Sequence, residues 1–398
     1  MSDAIPVHGT CAPRFSRVRD LFRQGFEQGE QLGAAVCFTQ NGEPVVDLWG
    51  GWLDFDKHEE WQRDTLVNTY STTKGMTALC AHMLVERGDL DVEAPVAAYW
   101  PEFAAAGKES IPVRWLLSHQ AGLSGLRKPL SAEELYAWDP MVEALAAETP
   151  WWEPGTRHGY HALTFGHLVG EVIRRASGKS VGTFFRENVA EPMEADFHIG
   201  LGAEHDARTS PLHGRVLAPP SSDPGGGSGG RKLPPMIQKL MDDLRDPSTM
   251  SGAAFALSGV DHNSRAWRAA EIPAGNGHGT ARSLARIYGA LACGGSLEGL
   301  HLLEQASIEF ATQEQVSGPD AILGGLPMRF GLGFMLKQDF MPLAPNDRAF
   351  GHAGAGGSIG MADPVDRVGF GYTLNKMQMG LMGAAGAFSM LKAFYEEI

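Results

Sequence analysis

The sequence predicts an α+β fold in which one antiparallel sheet is made from both ends of the chain and flanked by helices, with a mainly helical domain inserted between its halves. Strand-like runs flank Asn41-Gly42, the strongest short signal for a hairpin. Between about residues 72 and 290 apolar residues recur mostly at helical spacing. Strand signals return only after about residue 327, in short aromatic and β-branched runs.

The expected elements can be placed in chain order. Helices are predicted over 14–30, 76–84, 161–177, 280–293 and 379–396, with a short helix between Pro112 and Gly122. Strands are expected within 33–52, 330–336, 349–364 and 367–375. Gly88 and Gly178 each follow a helical pattern and are expected to end the helix before them.

The domain boundaries are expected where the signals change. We predict a discontinuous sheet domain of residues 1–75 and 300–398, a helical domain of residues 76–299, and a functional site between the two. Residues 204–235 are dense in Pro, Gly and Ser and show no periodicity. This segment predicts a long surface loop, and both a lid and plain disorder fit its composition.

The composition indicates an ordinary globular protein. Hydrophobic residues make up 43% and charged residues 20% of the 398, and the net charge of −14 argues against nucleic acid or an anionic membrane as a main partner. With no run of 18 apolar residues and no secretory pattern, we expect no transmembrane helix and a cytoplasmic location. The four cysteines form no C-x-x-C pair and are expected to be free thiols.

The stretch TYSTTKGMTALC, residues 69–80, places Ser71 three positions before Lys74 at the start of a predicted helix. A lysine in the first turn meets the positive end of the helix dipole, which costs roughly 0.3–1 kcal/mol. The same position and partial burial lower the pKa of the amine, which would then take a proton from the Ser71 hydroxyl. S-x-x-K tetrapeptides are common, so a poorly capped helix remains an alternative.

Two further segments suit the same chemistry. Tyr160, in PGTRHGYHALTFGHLVG, precedes a predicted helix, and a phenol with its pKa lowered by that helix and by a nearby lysine would relay a proton. The alternative is a half-buried structural tyrosine. The segment FGHAGAGGSIGMADP, residues 350–364, reads as a Gly-rich strand and a tight turn. Such a strand lets a substrate approach the backbone and offers N–H groups to an oxyanion.

The order of these motifs resembles the class C β-lactamases, within the superfamily of serine β-lactamases and penicillin-binding proteins. STTK is followed by LLSHQAGL at 116–123, by Tyr160 before a helix, by GLGF at 331–334, by GHAGAGG and by an apolar C-terminal helix. The resemblance covers the chain from about residue 30 to its end. It implies a β-lactamase-like fold.

Two departures make the sequence more similar to the family VIII carboxylesterases. Class C enzymes have Tyr-x-Asn, whereas Ala162 stands two positions after Tyr160 here. They also have Lys-Thr-Gly where this chain has His-Ala-Gly at 352–354, so a mostly neutral His replaces the Lys that helps bind a substrate carboxylate. The resemblance therefore implies a serine hydrolase of short-acyl esters that acts through an acyl-enzyme. A β-lactamase, a D-amino-acid peptidase, an acyltransferase and a non-catalytic scaffold are the alternatives.

The resemblance also assigns roles to individual residues. Ser71 is expected to be the nucleophile, Lys74 the general base and Tyr160 the proton partner. The oxyanion hole is expected at the backbone N–H groups of Ser71 and Ala355. The expected substrate-binding residues are His352, Ala353, Gly354 and Trp152, although Trp152 also fits an ordinary core position. A small-molecule ester is the expected partner, no metal or cofactor is implied, and the oligomeric state is left open.

Other patterns are interpreted as unrelated to the chemistry. Ser228 and Ser358 each lie in a G-x-S-x-G motif, but Ser228 lacks a preceding strand and no His follows Ser358, so neither is expected to be a nucleophile. His158 and His161 form an H-x-x-H pair without further residues at ligand spacing, which argues against a metal site. His119 is expected to cap the short helix before it.

Overall fold

The computed structural model describes residues 5–214, 235–257, 259–378 and 383–398. Its strands are β1 Val7–Cys11, β2 Gly33–Gln40, β3 Glu43–Gly51, β4 Val67–Asn68, β5 Phe197–His198, β6 His278–Gly279, β7 Ser296–Leu297, β8 Leu300–His301, β9 Val316–Pro319, β10 Pro327–Phe330, β11 Met335–Leu336, β12 Phe350–Ala353, β13 Ile359–Asp363 and β14 Val368–Leu374.

The helices are α1 Ser16–Glu27, α2 Thr73–Arg87, α3 Val113–Leu117, α4 Ala132–Tyr136, α5 Asp139–Ala147, α6 Thr164–Ser177, α7 Val181–Phe185, α8 Pro235–Arg245, α9 Met250–Ala254, α10 Arg265–Ala269, α11 Ala281–Ala292, α12 Gln305–Ala311 and α13 Ala385–Tyr395. Short 3-10 turns include Pro101–Gly107, Ala203–Arg208 and Ala355–Gly357. In the described part of the chain, no helix has both the length and the apolar character needed to cross a bilayer.

Nine strands form one sheet in the order β1-β3-β2-β14-β13-β12-β11-β10-β9, and every neighbouring pair is antiparallel. The two halves of the chain join where β2 pairs with β14, for example at Phe38 opposite Phe370. Asn41 and Gly42 connect β2 to β3 with positive φ angles of 52° and 85°, as the tightest hairpin turns require. The predicted antiparallel sheet made from both chain ends is confirmed.

Helices cover both faces of this sheet. On one face α1 and α13 pack together, and the ring of Phe394 stacks on those of Phe15 and Phe38 at 4.4 and 4.3 Å. On the other face α11 lies directly on β14. A Cβ at Gly369 would come within 2.4 Å of a backbone oxygen of α11, so glycine permits this close approach.

Helix α2 is buried over most of its length, from Thr73 to Leu84, and packs against α6, α7 and strand β12. Its sequence has no polar face, which is the pattern of a helix surrounded by protein on all sides. Gly88 ends it in the left-handed conformation, as predicted, and Gly178 does the same for α6. The first turn of α2 therefore lies between the helices and the sheet.

Some expectations need correction. Strand β1 was not predicted, because its residues are mostly exposed and show no apolar alternation. The helix expected over 161–177 begins only at Thr164. Of the expected loop at 204–235, residues 204–214 include part of a 3-10 turn, and 215–234 lie outside the described residues. The domain boundaries and the cytoplasmic location stay predictions.

Candidate active site

A strained turn presents Ser71 at the start of α2. Tyr70, immediately before it, has a φ of 44°, a conformation that bulky side chains rarely adopt. The Thr73 hydroxyl donates to the Tyr70 carbonyl at 2.5 Å and accepts the Gly277 backbone N–H at 2.8 Å. These bonds tie the turn to strand β6 and offset the strain.

Ser358 fastens the same turn to the sheet. Its hydroxyl donates to the Thr69 carbonyl at 2.6 Å and lies 3.0 Å from the Thr72 hydroxyl. Gly354 makes this contact possible, since a Cβ there would come within 2.2 Å of both the Ser358 hydroxyl and the Thr69 carbonyl oxygen. Ser358 is therefore a structural partner of the turn in this geometry, in keeping with the expectation that it is not a nucleophile.

The Lys74 amine is fully buried, with its Nζ 3.1 Å from Ser71 Oγ. It donates to the carbonyls of Ala162 at 2.6 Å and Ala274 at 2.9 Å. Burial holds the pKa of Lys74 well below its ordinary value. A neutral amine has two N–H donors and one lone pair. In a neutral Lys74 whose two N–H groups both go to the carbonyls, the lone pair would be left for the Ser71 O–H.

Tyr160 lies beside this pair. Lys74 Nζ is 4.8 Å from the centre of the Tyr160 ring, which is almost completely buried. The expectation of a lowered pKa for the phenol is wrong: burial raises the pKa of Tyr160, and the nearby Ser71 hydroxyl opposes that shift only in part. Tyr160 is four residues ahead of α6, too far for the helix terminus to act on it. The phenol is thus held in its protonated form.

Ser71 opens on a cavity of about 440 Å³. Ala355 also lines it, and much of the wall is apolar, contributed by Tyr70, Leu163, Phe255, Leu257 and Val260. No Asp, Glu, Lys or Arg occurs among the described residues that line this space. The cavity therefore suits an uncharged, largely apolar ligand.

The other predicted substrate-binding residues are placed differently. The His352 ring is buried, and its centre is 6.1 Å from the centre of the Tyr160 ring. The His352 Nδ1 bonds to the Ala353 carbonyl at 2.7 Å. Burial lowers the pKa of His352 to about 3, so the ring is neutral. Ala353 is buried in β12 and is absent from the described cavity lining. Trp152 is buried edge-on against His161 and is absent from the described cavity lining.

Two further histidines near Tyr160, His119 and His161, have structural partners. His119 ends its helix as expected: it follows the C-cap Ser118 in the left-handed conformation, at a φ of 62°, and the next backbone N–H, of Gln120, donates to the Trp115 carbonyl at 2.8 Å. The His119 Nδ1 accepts the His161 backbone N–H at 3.2 Å. His161 Nε2 accepts the Leu123 backbone N–H at 3.1 Å, and its Nδ1 bonds to the Gly159 carbonyl. Both rings help fix the backbone around Tyr160. Ser228 lies outside the described residues.

Several residues around the site were not found by the sequence reasoning. Asp320 accepts the Tyr160 backbone N–H at 3.1 Å, and Phe255, Val260 and His262 line the cavity. Asp320 follows Gly-Pro in a turn-rich stretch, where an acidic residue gives no particular signal. The lining residues come from short helices and loops without a motif. These residues are close to the site only in the folded protein, so their spacing along the chain does not predict their roles.

Comparison with known proteins shows the family of the chain. A family model described as Beta-lactamase matches residues 18–393. The chain belongs to the beta-lactamase family. Esterase/beta-lactamase LipL from Mycobacterium tuberculosis is 36% identical over 396 residues, covering 97% of this chain and 88% of that protein.

Solved structures of this family are also similar over nearly the whole chain. A family VIII carboxylesterase superposes with a TM-score of 0.87 at 42% identity, covering 99% of this chain and all of that one. A penicillin-binding protein homolog from Caulobacter crescentus has the same TM-score at 37% identity and the same coverage. The predicted β-lactamase-like fold and the superfamily are confirmed. The chain is a serine hydrolase of the beta-lactamase family with esterases among its relatives.

Proposed function

We propose that this protein is a carboxylesterase that hydrolyses short-acyl esters through an acyl-enzyme on Ser71. The observation that carries the proposal is the buried Lys74 amine, 3.1 Å from the Ser71 hydroxyl at the edge of an apolar cavity. An amine with a lowered pKa is a competent base at neutral pH, where an ordinary lysine is protonated. The hydroxyl and its base are already within hydrogen-bond reach.

In the acylation step, Ser71 Oγ bonds to the ester carbonyl carbon as its proton passes to Lys74 Nζ. The carbonyl electron pair moves onto oxygen, where the backbone N–H groups of Ser71 and Ala355 would stabilise the charge. Collapse of this intermediate breaks the bond to the alcohol oxygen. That oxygen takes the proton of the Tyr160 hydroxyl, and Tyr160 regains a proton from the Lys74 ammonium.

The second half of the reaction repeats these transfers with water. A water molecule gives a proton to the Lys74 amine and its oxygen attacks the acyl carbonyl. The second tetrahedral intermediate breaks the bond to Ser71 Oγ, which takes the proton back from Lys74. The carboxylic acid leaves and the starting protonation states return. No cofactor is required at any step.

A neutral substrate is favoured by the charges around the site. β-Lactams and D-amino-acid peptides carry a carboxylate, and an unpaired buried charge is costly. Lys74 is held toward its neutral form, the pKa of His352 is lowered to about 3, and no charged side chain occurs in the described lining. The chain is similar to a family VIII carboxylesterase and to an esterase/beta-lactamase. This similarity supports ester hydrolysis and makes β-lactam hydrolysis the alternative to test.

The test is hydrolysis of p-nitrophenyl butyrate and nitrocefin by the wild type and Ser71→Ala. We expect rapid ester turnover that Ser71→Ala abolishes, little cleavage of nitrocefin, and a butyryl adduct on Ser71 detected by mass spectrometry after rapid quenching. Ser358→Ala is the matched control, because it alters a buried serine that contacts the same turn and should retain turnover. Ester turnover that survives in Ser71→Ala would refute the assignment, and strong Ser71-dependent nitrocefin cleavage would favour the β-lactamase.

A further inference from the structure

A buried carboxylate on a remote loop holds the backbone of Tyr160. Asp320 lies between β9 and β10 and is fully buried. Its Oδ1 accepts three backbone N–H groups, from Tyr160 at 3.1 Å, Ile322 at 2.8 Å and Leu323 at 2.9 Å. Two of these bonds shape the loop itself, and the third joins the loop to the segment that carries the phenol.

The loop and the Tyr160 segment are joined at further points. The Ala321 backbone N–H donates to the His158 carbonyl at 3.1 Å. Gly159 lies against the loop so closely that a Cβ there would come within 3.0 Å of the Ile322 side chain. The Tyr160 ring is bounded by the rings of His119 at 5.1 Å and Phe330 at 6.2 Å. The side chain is thus confined by aromatic rings, while Asp320 fixes the main chain that carries it.

The charge environment of Asp320 also bears on the phenol. Burial raises the pKa of Asp320, whereas its three backbone bonds and nearby His158 lower it. The Asp320 charge acts on Tyr160 in the same direction as burial and raises the pKa of the phenol. Asp320 Oδ2 has no hydrogen-bond partner among the described residues, so the carboxylate accepts all three of its hydrogen bonds through Oδ1. Both effects favour a fixed, protonated phenol.

We propose that Asp320 is a positioning residue for Tyr160, which it holds at the place where the leaving alcohol oxygen takes its proton. The inference rests on the proposed function, since it assumes that Tyr160 is the acid for the leaving group. Asp320 acts through Tyr160, by the backbone hydrogen bond and by its charge, and it is absent from the described lining of the cavity. Its loss should therefore reproduce the loss of Tyr160 for substrates that need an acid.

The dependence on the leaving group separates this role from a general structural one. Ethoxide is a strong base and leaves only with a proton, whereas p-nitrophenolate is a weak base and leaves without one. A displaced phenol therefore slows acylation by ethyl butyrate far more than acylation by p-nitrophenyl butyrate. Loss of folded protein lowers both rates by the same factor. Because kcat/KM reports acylation for both esters, the ratio of the two kcat/KM values is the informative quantity.

The experiment compares wild type, Asp320→Ala, Asp320→Asn and Tyr160→Phe on both esters. General acid catalysis contributes about 10²–10⁴-fold, so we expect Asp320→Ala to lower the ethyl-to-p-nitrophenyl ratio by about 10–100-fold and Tyr160→Phe by at least as much. Asp320→Asn retains an oxygen acceptor without the charge and should fall between wild type and Asp320→Ala. In the double variant, Asp320→Ala should add little to the loss already caused by Tyr160→Phe.

An unchanged ratio in Asp320→Ala, with both rates lowered equally, would overturn the proposal. If Asp320→Ala does not fold, Asp320→Asn decides: a lowered ratio supports positioning, and a wild-type ratio overturns it. Failure of the proposed function has a different signature. In that case Ser71→Ala would retain turnover, or Tyr160→Phe itself would leave the ratio unchanged.

Discussion

Two lysines are buried in the described part of the chain, and they differ in their third hydrogen-bond partner. Lys74 Nζ contacts two carbonyls and the Ser71 hydroxyl. Lys108 Nζ donates to three carbonyls, of Ala105 at 2.7 Å, Ala146 at 3.0 Å and Glu148 at 2.6 Å. Three acceptors use all three N–H groups of an ammonium, whereas two acceptors and a hydroxyl suit a neutral amine.

Helix position reinforces the difference. Lys74 is in the first turn of α2, at the positive end of the helix dipole, which disfavours its charged form. Lys108 bonds to carbonyls at the C-terminal end of α5, where a cation is favoured. Burial lowers the pKa of both lysines, but the Glu148 carboxylate opposes that shift at Lys108. Burial alone therefore does not set the charge of a lysine; the remaining hydrogen-bond partner and the local electric field also contribute, and both favour Lys74 as the proposed base.

The largest expected effect is on activity. Lys74→Met removes the base and should lower kcat/KM for p-nitrophenyl butyrate by about 10²–10⁴-fold, the usual contribution of general base catalysis. Lys108→Met makes the same chemical change at the other buried lysine and should leave kcat/KM near that of the wild type. Steady-state kinetics on both variants, with circular dichroism to check folding, gives the answer. Similar losses in the two variants would remove the distinction.

The stability of the same two variants should show the opposite order. Lys108→Met leaves three carbonyls without their donor, and the free energy of unfolding should fall by at least about 1–3 kcal/mol. Lys74→Met leaves two carbonyls but also removes a buried group that is costly to deprotonate on folding, so its loss should be smaller. Urea denaturation measures both. A larger loss for Lys74→Met would contradict the assignment of a neutral amine.

The pH dependence of stability tests the protonation state directly. The pKa of Lys74 is lowered in the folded protein, so between that pKa and the ordinary value the unfolded chain binds more protons. The wild type therefore loses stability from this group as pH falls through that window, by up to about 1.4 kcal/mol per pH unit. Lys74→Met has no amine to titrate at this position, so its free energy of unfolding should rise relative to that of the wild type as pH falls. A difference that does not vary with pH would mean that Lys74 stays charged.

Only a small effect on activity is expected at Ser358, which bonds to the turn before α2. Ser358→Ala removes the bonds to the Thr69 carbonyl and the Thr72 hydroxyl but leaves Lys74 and its partners unchanged. We expect a loss of about 1–3 kcal/mol in unfolding free energy, with only a modest decrease in kcat. Thermal unfolding and steady-state kinetics of this variant measure both quantities. A loss of activity as large as that of Lys74→Met would make Ser358 part of the chemistry.

Much of the fold could be predicted because its signals are local. The Asn41-Gly42 hairpin and the glycine ends of α2 and α6 follow from backbone preferences of single residues, and the structure has them as expected. Strand β1 could not be predicted, since most of its residues are exposed and it is held by pairing with β3. Its stability depends on a neighbour rather than on its own pattern.

The features of the site also differ in whether they depend on local spacing or on distant segments. Ser71 and Lys74 are one helical turn apart, so their proximity could be predicted from spacing, and the structure has it. The raised pKa of Tyr160 could not be predicted from the sequence, because it comes from burial by distant segments. The hydrogen bond from Tyr160 to Asp320 joins positions 160 residues apart. Trp152 was expected near the substrate because it is close in sequence, but its ring lies in the core.

The join between β2 and β14 sets the timing of assembly during translation. The paired residues Phe38 and Phe370 are 332 positions apart (370 − 38). At ribosomal rates of roughly 5–20 residues per second, the first hairpin waits roughly 20–70 s for its partner strand to be made. During that interval one edge of β2 is unpaired and open to wrong partners. A nascent chain of this protein should therefore depend on chaperones until β14 leaves the ribosome, and a chain truncated before β14 should aggregate.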